Sequence, residues 1–307
     1  MIPIGPDLLI RADGDSMAGM SDAIIRYTAL TIGLFATSLV MVLAAGSLVS
    51  DRGLPGPTVT ASLTPVQGTI AVGLCLLVSL AVAIVVGRVV NAAVGAFVLG
   101  AGIAVLSMRC GTHLDQLFSG GPSGLIVLET LIWGLVVLVM IAVLFRFTGP
   151  LPEQPGKRTE DAFRPSAVFS GPALKSCIAG IGMLFAIWIL GVNDLKGQMI
   201  AACLIGGVLA GVGGRLLAPW EQPILIFAAP VIFGAMGQAY ALGTNDDPTG
   251  AWLSGTQSPL GMPMPMDIAA GSLMGVAIGL AWARGRAVEN GSGDPASRRA
   301  SEPVSRP

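Results

Sequence analysis

Glu129 is the only acid in a run of apolar residues, 124–147, whose only base, Arg146, stands at the opposite end. A charge at the centre of a bilayer costs roughly 2.5–3.5 kcal/mol on insertion scales, and an acid kept there is a candidate for proton or cation handling. The alternatives at its depth, about one and a half turns from the nearer end, are snorkelling to the interface or a bond to a neighbouring helix. Other polar residues lie at similar depth. Gln238 and Tyr240 are in the outer third of the run 222–242, Asp267 opens the run 265–283, and Asn193, Asp194 and Lys196 fill the short break after 173–191. Depth alone groups them into one outward-facing polar vestibule, with Glu129, Gln238 and Asp267 as its intramembrane site.

Other chemistries find few residues to carry them. His113 is the only histidine, so the chain by itself cannot supply a bis-histidine haem or copper site. The four cysteines contain no CxxC pair; three lie inside apolar runs and Cys110 stands outside them, which predicts no disulfide framework, no metal and no cofactor. Asp246-Asp247 matches no calcium-loop spacing and reads as a solvated turn. No glycine-rich loop is followed by a phosphate-binding lysine. The stretch Gly121-Pro122-Ser123-Gly124 resembles the GxSG of rhomboid intramembrane proteases, a resemblance covering four residues. That family draws its base from a histidine in a later helix, whereas His113 lies upstream, and a serine without a base is a weak nucleophile. Ser123 is therefore expected to cap the helix that follows, and no enzyme is predicted.

The elements that position these residues follow from composition. Of 307 residues, 53% are hydrophobic and 11% charged, with mean hydropathy +0.77. A soluble domain carries about 25% charged residues, so this chain cannot cover a water-facing surface. A bilayer core takes about 20 apolar residues per helix. Eight runs qualify: 27–49, 67–87, 89–108, 124–147, 173–191, 198–217, 222–242 and 265–283. The second and third are separated only by Gly87-Arg88. Joined, they would make a helix of roughly 60 Å, about twice the hydrocarbon thickness, so a tight hairpin is expected.

Charge tests this count. With eight spans, 14 of the 17 Lys and Arg residues fall on the side of the termini, and only Arg52, Arg109 and Lys196 fall on the other. Positive residues stay cytoplasmic, so both termini are predicted inside and the other face is called outer below. Trp188, Trp220 and Trp282 sit at predicted boundaries. The net charge of −1 argues against a nucleic-acid partner. The fold class predicted is all-α, a polytopic bundle of eight transmembrane helices in a lipid bilayer, with a bacterial inner membrane the expected location.

The chain is expected to divide into a cytoplasmic segment 1–26, a four-helix half 27–147, a Pro-rich charged linker 148–172, a second four-helix half 173–283 and a disordered tail 284–307. Four spans per half would relate the halves by an axis along the membrane normal. Gly207 and Gly211 in the sixth run, and Gly271, Gly275 and Gly279 in the eighth, make small faces suited to close helix packing, within the bundle or in a homo-oligomer. Pro230, midway along the seventh run, is a candidate kink. The function expected is a small-molecule or ion permease; the alternative is a non-catalytic subunit or assembly factor that docks to a membrane-protein partner.

Overall fold

In hydrocarbon a backbone must hydrogen-bond to itself, and helices meet that demand within one segment. The computed structural model describes residues 7–50, 53–118, 124–151, 168–219, 221–244 and 247–292, at backbone level only for 7–21 and 284–292. Helices α1 (Asp7–Ala45), α2 (Pro65–Val89), α3 (Ala92–Arg109), α4 (His113–Phe118) and α5 (Gly124–Thr148) make the first half. The second holds α6 (Gly171–Ser176), α7 (Gly182–Leu190), α8 (Lys196–Leu217), α9 (Ile224–Gly243), α10 (Pro248–Leu253) and α11 (Pro265–Ser292). Among the described residues there is no strand, and eight helices are long and apolar enough to cross a membrane. The fifth of these spans joins α6 and α7 through a 3-10 stretch, Cys177–Ile181.

Three boundaries differ from those expected. The first span ends at Ala45, because Gly46 and Ser47 turn the chain and Val49 then bridges to Pro55. Helix α1 begins at Asp7, inside the expected N-terminal segment, and α11 runs on to Ser292, nine residues into the expected tail. No proline interrupts Arg284–Ser292, so nothing in that sequence forces the helix to stop. The linker residues 152–167 and the tail beyond 292 lie outside the described residues, as do Ser123, Trp220 and Asp246.

Local signals set the ends of the spans. Pro65 occupies the first turn of α2, where a missing N–H costs nothing. Asn91 caps α3 by accepting from Val94 N at 2.9 Å. Gly149, at φ +87°, takes the left-handed conformation that ends α5. The Gly87-Arg88 hairpin is tied to the far end of α5, where Arg88 Nε donates to the Phe147 carbonyl at 3.0 Å.

Burial separates centre from rim. The Pro265–Ala283 span is 83% buried and the first span 28%, so α11 is the axis of the bundle and α1 faces lipid. Helix α11 packs against α8, α3 and α5, while α5 packs against α9. Exchanging the two halves leaves this pattern almost unchanged. The α3–α11 pair maps onto α9–α5, the α2–α5 pair onto α8–α11, and α5–α11 onto itself. The correspondence holds for which helices meet and not for how extensively: the α2–α5 contact is far smaller than the α8–α11 contact it maps onto, and α3 also touches α8 slightly.

Candidate functional site

The polar side chains named above gather near the outer ends of the spans, in separate bonded clusters rather than one open vestibule. Glu129 is buried, and its partner is the loop between α1 and α2. Val59 N donates to Oε1 at 3.1 Å, while Thr60 N at 3.1 Å and Thr60 Oγ1 at 2.6 Å donate to Oε2. A carboxylate reached by three neutral donors keeps much of its solvation, which is how it is tolerated here. The loop is itself folded: Thr58 Oγ1 accepts from Ala61 N, and Gly56 N donates to the Leu48 carbonyl at 2.6 Å.

Asp267 is fully buried at the third position of α11. It reaches back to accept from Met264 N at 2.8 Å, which satisfies an orphan donor at the helix start. Lys196 Nζ stands 3.3 Å from each carboxylate oxygen, and Ser107 Oγ, at the end of α3, donates to Oδ1. Lys196 opens α8, so this cluster joins three helices. Gln238 forms the third cluster: Thr130 Oγ1 on α5 donates to its Oε1 at 2.6 Å, and its Nε2 donates to the Pro263 carbonyl at 2.8 Å.

The remaining vestibule candidates fall elsewhere. Tyr240 is exposed on the lipid-facing side of α9. Asn193 turns inward on its own loop, accepting from Leu195 N at 3.1 Å. Asp194 makes a long 3.4 Å contact with Leu114 N.

Sequence reasoning gave His113 no positive role, yet it is buried beneath the outer loops. Its Nε2 lies 2.5 Å from Gln257 Nε2, joining α4 to the segment after α10, while His113 Nδ1 and Gln257 Oε1 have no partner among the described residues. Burial pushes the ring's pKa down to about 4, against a raising influence from Asp194; Lys196 lowers it further. Cys110, just past α3, is pushed up to about 12, first by burial; Lys196 lowers it, and Asp267 and Glu129 raise it. Both acidic clusters therefore act on one thiol.

The glycine seam lies below these clusters. A Cβ on Gly207 would stand 2.7 Å from the Gly271 carbonyl oxygen, and one on Gly211 would stand 2.6 Å from the Val276 carbonyl. On the facing helix, a Cβ on Gly275 would meet the Leu204 carbonyl at 2.1 Å and one on Gly279 the Val208 carbonyl at 2.4 Å. Backbone thus lies on backbone along the α8–α11 contact, which lipid by itself gives no hydrophobic reason to form.

Helix α9 runs through Pro230 without a break. Ser272 Oγ donates to the Phe227 carbonyl at 2.6 Å, three residues before the proline, where the ladder is weakened. Gly180, in the 3-10 stretch, packs so closely on this segment that a Cβ would meet Ala229 C at 2.9 Å.

The described residues contain no group of three or more His, Cys, Asp or Glu able to hold a metal ion. No protein-family model, curated protein or solved structure matches the chain.

Proposed function

We propose that this multi-spanning membrane protein is a small-molecule or ion permease whose outer gate is governed by Glu129. One observation carries the reading: Glu129 and Asp267 occupy matching places. Each lies near the outer start of the last helix of its half, and each is held by the chain between the first two spans of that half or by the residue that opens the second. The two helices touch across the junction of the halves. Transporters built from parallel repeats place substrate and ion sites at such a junction.

A chemical consequence supports a gating role. An ionised Glu129 accepts three hydrogen bonds from Val59 and Thr60. Loss of that charge removes the assistance it gives to these bonds, which weakens the hold of Glu129 on the chain between α1 and α2. Proton binding and opening of the outer side are then coupled.

The test is uptake by proteoliposomes. They are given a small-metabolite extract under an imposed proton gradient, and their contents are read by mass spectrometry. Wild-type vesicles should accumulate at least one compound that empty vesicles do not, and Glu129→Gln should abolish the gradient dependence. Contents identical to those of empty vesicles would remove the permease reading.

A second reading, a non-catalytic subunit or assembly factor, is favoured by the α8–α11 seam, where backbone contact leaves no room for a solute. Native mass spectrometry after gentle extraction distinguishes the two. A second polypeptide at fixed ratio supports the subunit, and a single chain or a symmetric multiple of it supports the permease.

A further inference from the structure

Exchange of the halves places the α2–α5 contact where α8–α11 stands in the second half. The second-half interface is closed by glycines, and its acid, Asp267, is paired with Lys196 from the start of α8. The first-half interface is open. A groove of about 220 Å³ runs between α2 and α5, with Thr60 and Glu129 at its outer end and Val72, Gly73, Trp133 and Val136 below. The start of α2 carries no lysine, and Glu129 receives only neutral donors among the described residues.

From this asymmetry we infer that the groove binds a single-chain amphiphile with a primary ammonium head, the ammonium meeting Glu129 where Lys196 meets Asp267. Charge complementarity fixes the head. Glu129 Oε1 has one donor, Val59 N, and room to accept another. One turn deeper on the same helix face is the Trp133 indole, and a carboxylate beside an indole suits an ammonium ion. The surroundings fix the tail. Ile70, Leu74 and Leu77 on α2, and Leu128 and Leu135 on α5, are exposed and face lipid, so the groove opens sideways into hydrocarbon. Its α2 wall, from Thr69 to Leu76, is roughly 10 Å long at 1.5 Å per residue. A chain lying there runs from the outer end toward the bilayer centre, as the lipid tails do. Binding does not depend on the permease reading, since the amphiphile is held whether or not it is carried across.

Gly73 supplies a clean variant, because a Cβ there meets nothing within 4 Å and the open space is the groove itself. The experiment uses the full chain in nanodiscs of phosphatidylcholine and phosphatidylglycerol, which lack primary amines. The probes are dodecylamine and dodecanoic acid, each carrying a diazirine near the tail end. The amine should label α2 and α5 peptides about tenfold more than the acid, the ratio expected of one charge-assisted contact. Gly73→Phe should abolish that labelling while the unfolding temperature holds, and Glu129→Gln should bring the amine down to the level of the acid. Equal labelling by the two probes, labelling that survives Gly73→Phe, or an amine preference that survives Glu129→Gln would overturn the assignment and leave ordinary contact with surrounding lipid.

Discussion

Lys196 Nζ lies 3.3 Å from both carboxylate oxygens of Asp267, 71 residues away; the acid is shut off from solvent and the lysine side chain is mostly covered. Two charges taken out of water attract strongly but lose their hydration, so the pair fixes geometry more surely than it adds stability. Removing one partner is different, because it strands the other. Lys196→Met should lower stability by about 3 kcal/mol, at the lower end of the range for a broken buried pair, because Ser107 and Met264 N still serve the acid. Joining it to Asp267→Leu should recover much of the loss. Thermal unfolding of the two single variants and the double variant in detergent measures the coupling, and additive losses would show that the pair is not a unit.

The seam between α8 and α11 makes a sharper demand. Gly275→Ala puts a methyl where the Leu204 carbonyl already stands, so the helices must part along their whole contact. Overpacking of this kind costs about 1–3 kcal/mol where a core can give, and backbone gives little. The expected result is a clear fall in unfolding temperature and in yield. Gly197→Ala, at a position with nothing within 4 Å, is the control and should be neutral or slightly stabilising. Equal effects from the two substitutions would count against the seam.

These cases show what the sequence made legible. Apolar runs near the length of a bilayer gave the eight spans, since hydropathy and length are local properties. Four-residue glycine spacing pointed to α8 and α11 because only small residues let backbones meet. Glu129 stood out by its cost, but its partner did not. Thr60 lies 69 residues upstream in a loop whose sequence resembles any solvated turn. His113 and Gln257 are 144 residues apart and meet only once the outer loops have packed. Pairings of this kind depend on which helices are neighbours, and a single sequence carries no signal of that. Depth was readable and adjacency was not, which is why one vestibule was expected where three clusters stand.

Release of the 46–64 loop should follow from loss of its anchor. Glu129→Leu removes the acceptor of three hydrogen bonds and leaves the buried Val59 N, with the more exposed Thr60 N beside it, without that partner. Limited proteolysis of sealed, outward-facing vesicles should cut this variant within 46–64 much faster than wild type, with the other outer loops unchanged. An unaltered cleavage pattern would mean that the loop is held by Leu48, Val59 and their apolar neighbours instead.

Topology has its own test. Leu253, at the end of α10, and Phe169, before α6, are both exposed and lie on opposite faces of the bundle. The charge asymmetry assigns the first to the outside. An impermeant maleimide applied to intact cells should label Leu253→Cys and spare Phe169→Cys until the membrane is opened. The native background should be low, because the Cys110 thiol is buried and its pKa is pushed up to about 12, leaving almost no thiolate at neutral pH. The reverse pattern would invert the orientation and, with it, which side Glu129 serves.

Acid should loosen the outer face through His113. Above pH 6.5 the ring is neutral whether the loops are closed or open, so closing them exchanges no proton. As pH falls below 6.5 the opened ring binds a proton, while the closed ring stays neutral until about 4, because burial disfavours its charge. The closed arrangement therefore loses stability across that window and loses no more below it. Protection factors of the amides in 110–118 and 254–260, exchange rates taken relative to the intrinsic rate at each pH, should fall from pH 6.5 down to about 4. His113→Gln can still bond Gln257 but does not titrate, and it should flatten the profile while leaving the neutral-pH rate nearly unchanged. A wild-type profile that stays flat would remove the acid response, and a His113→Gln profile that keeps its slope would place it on a group other than His113.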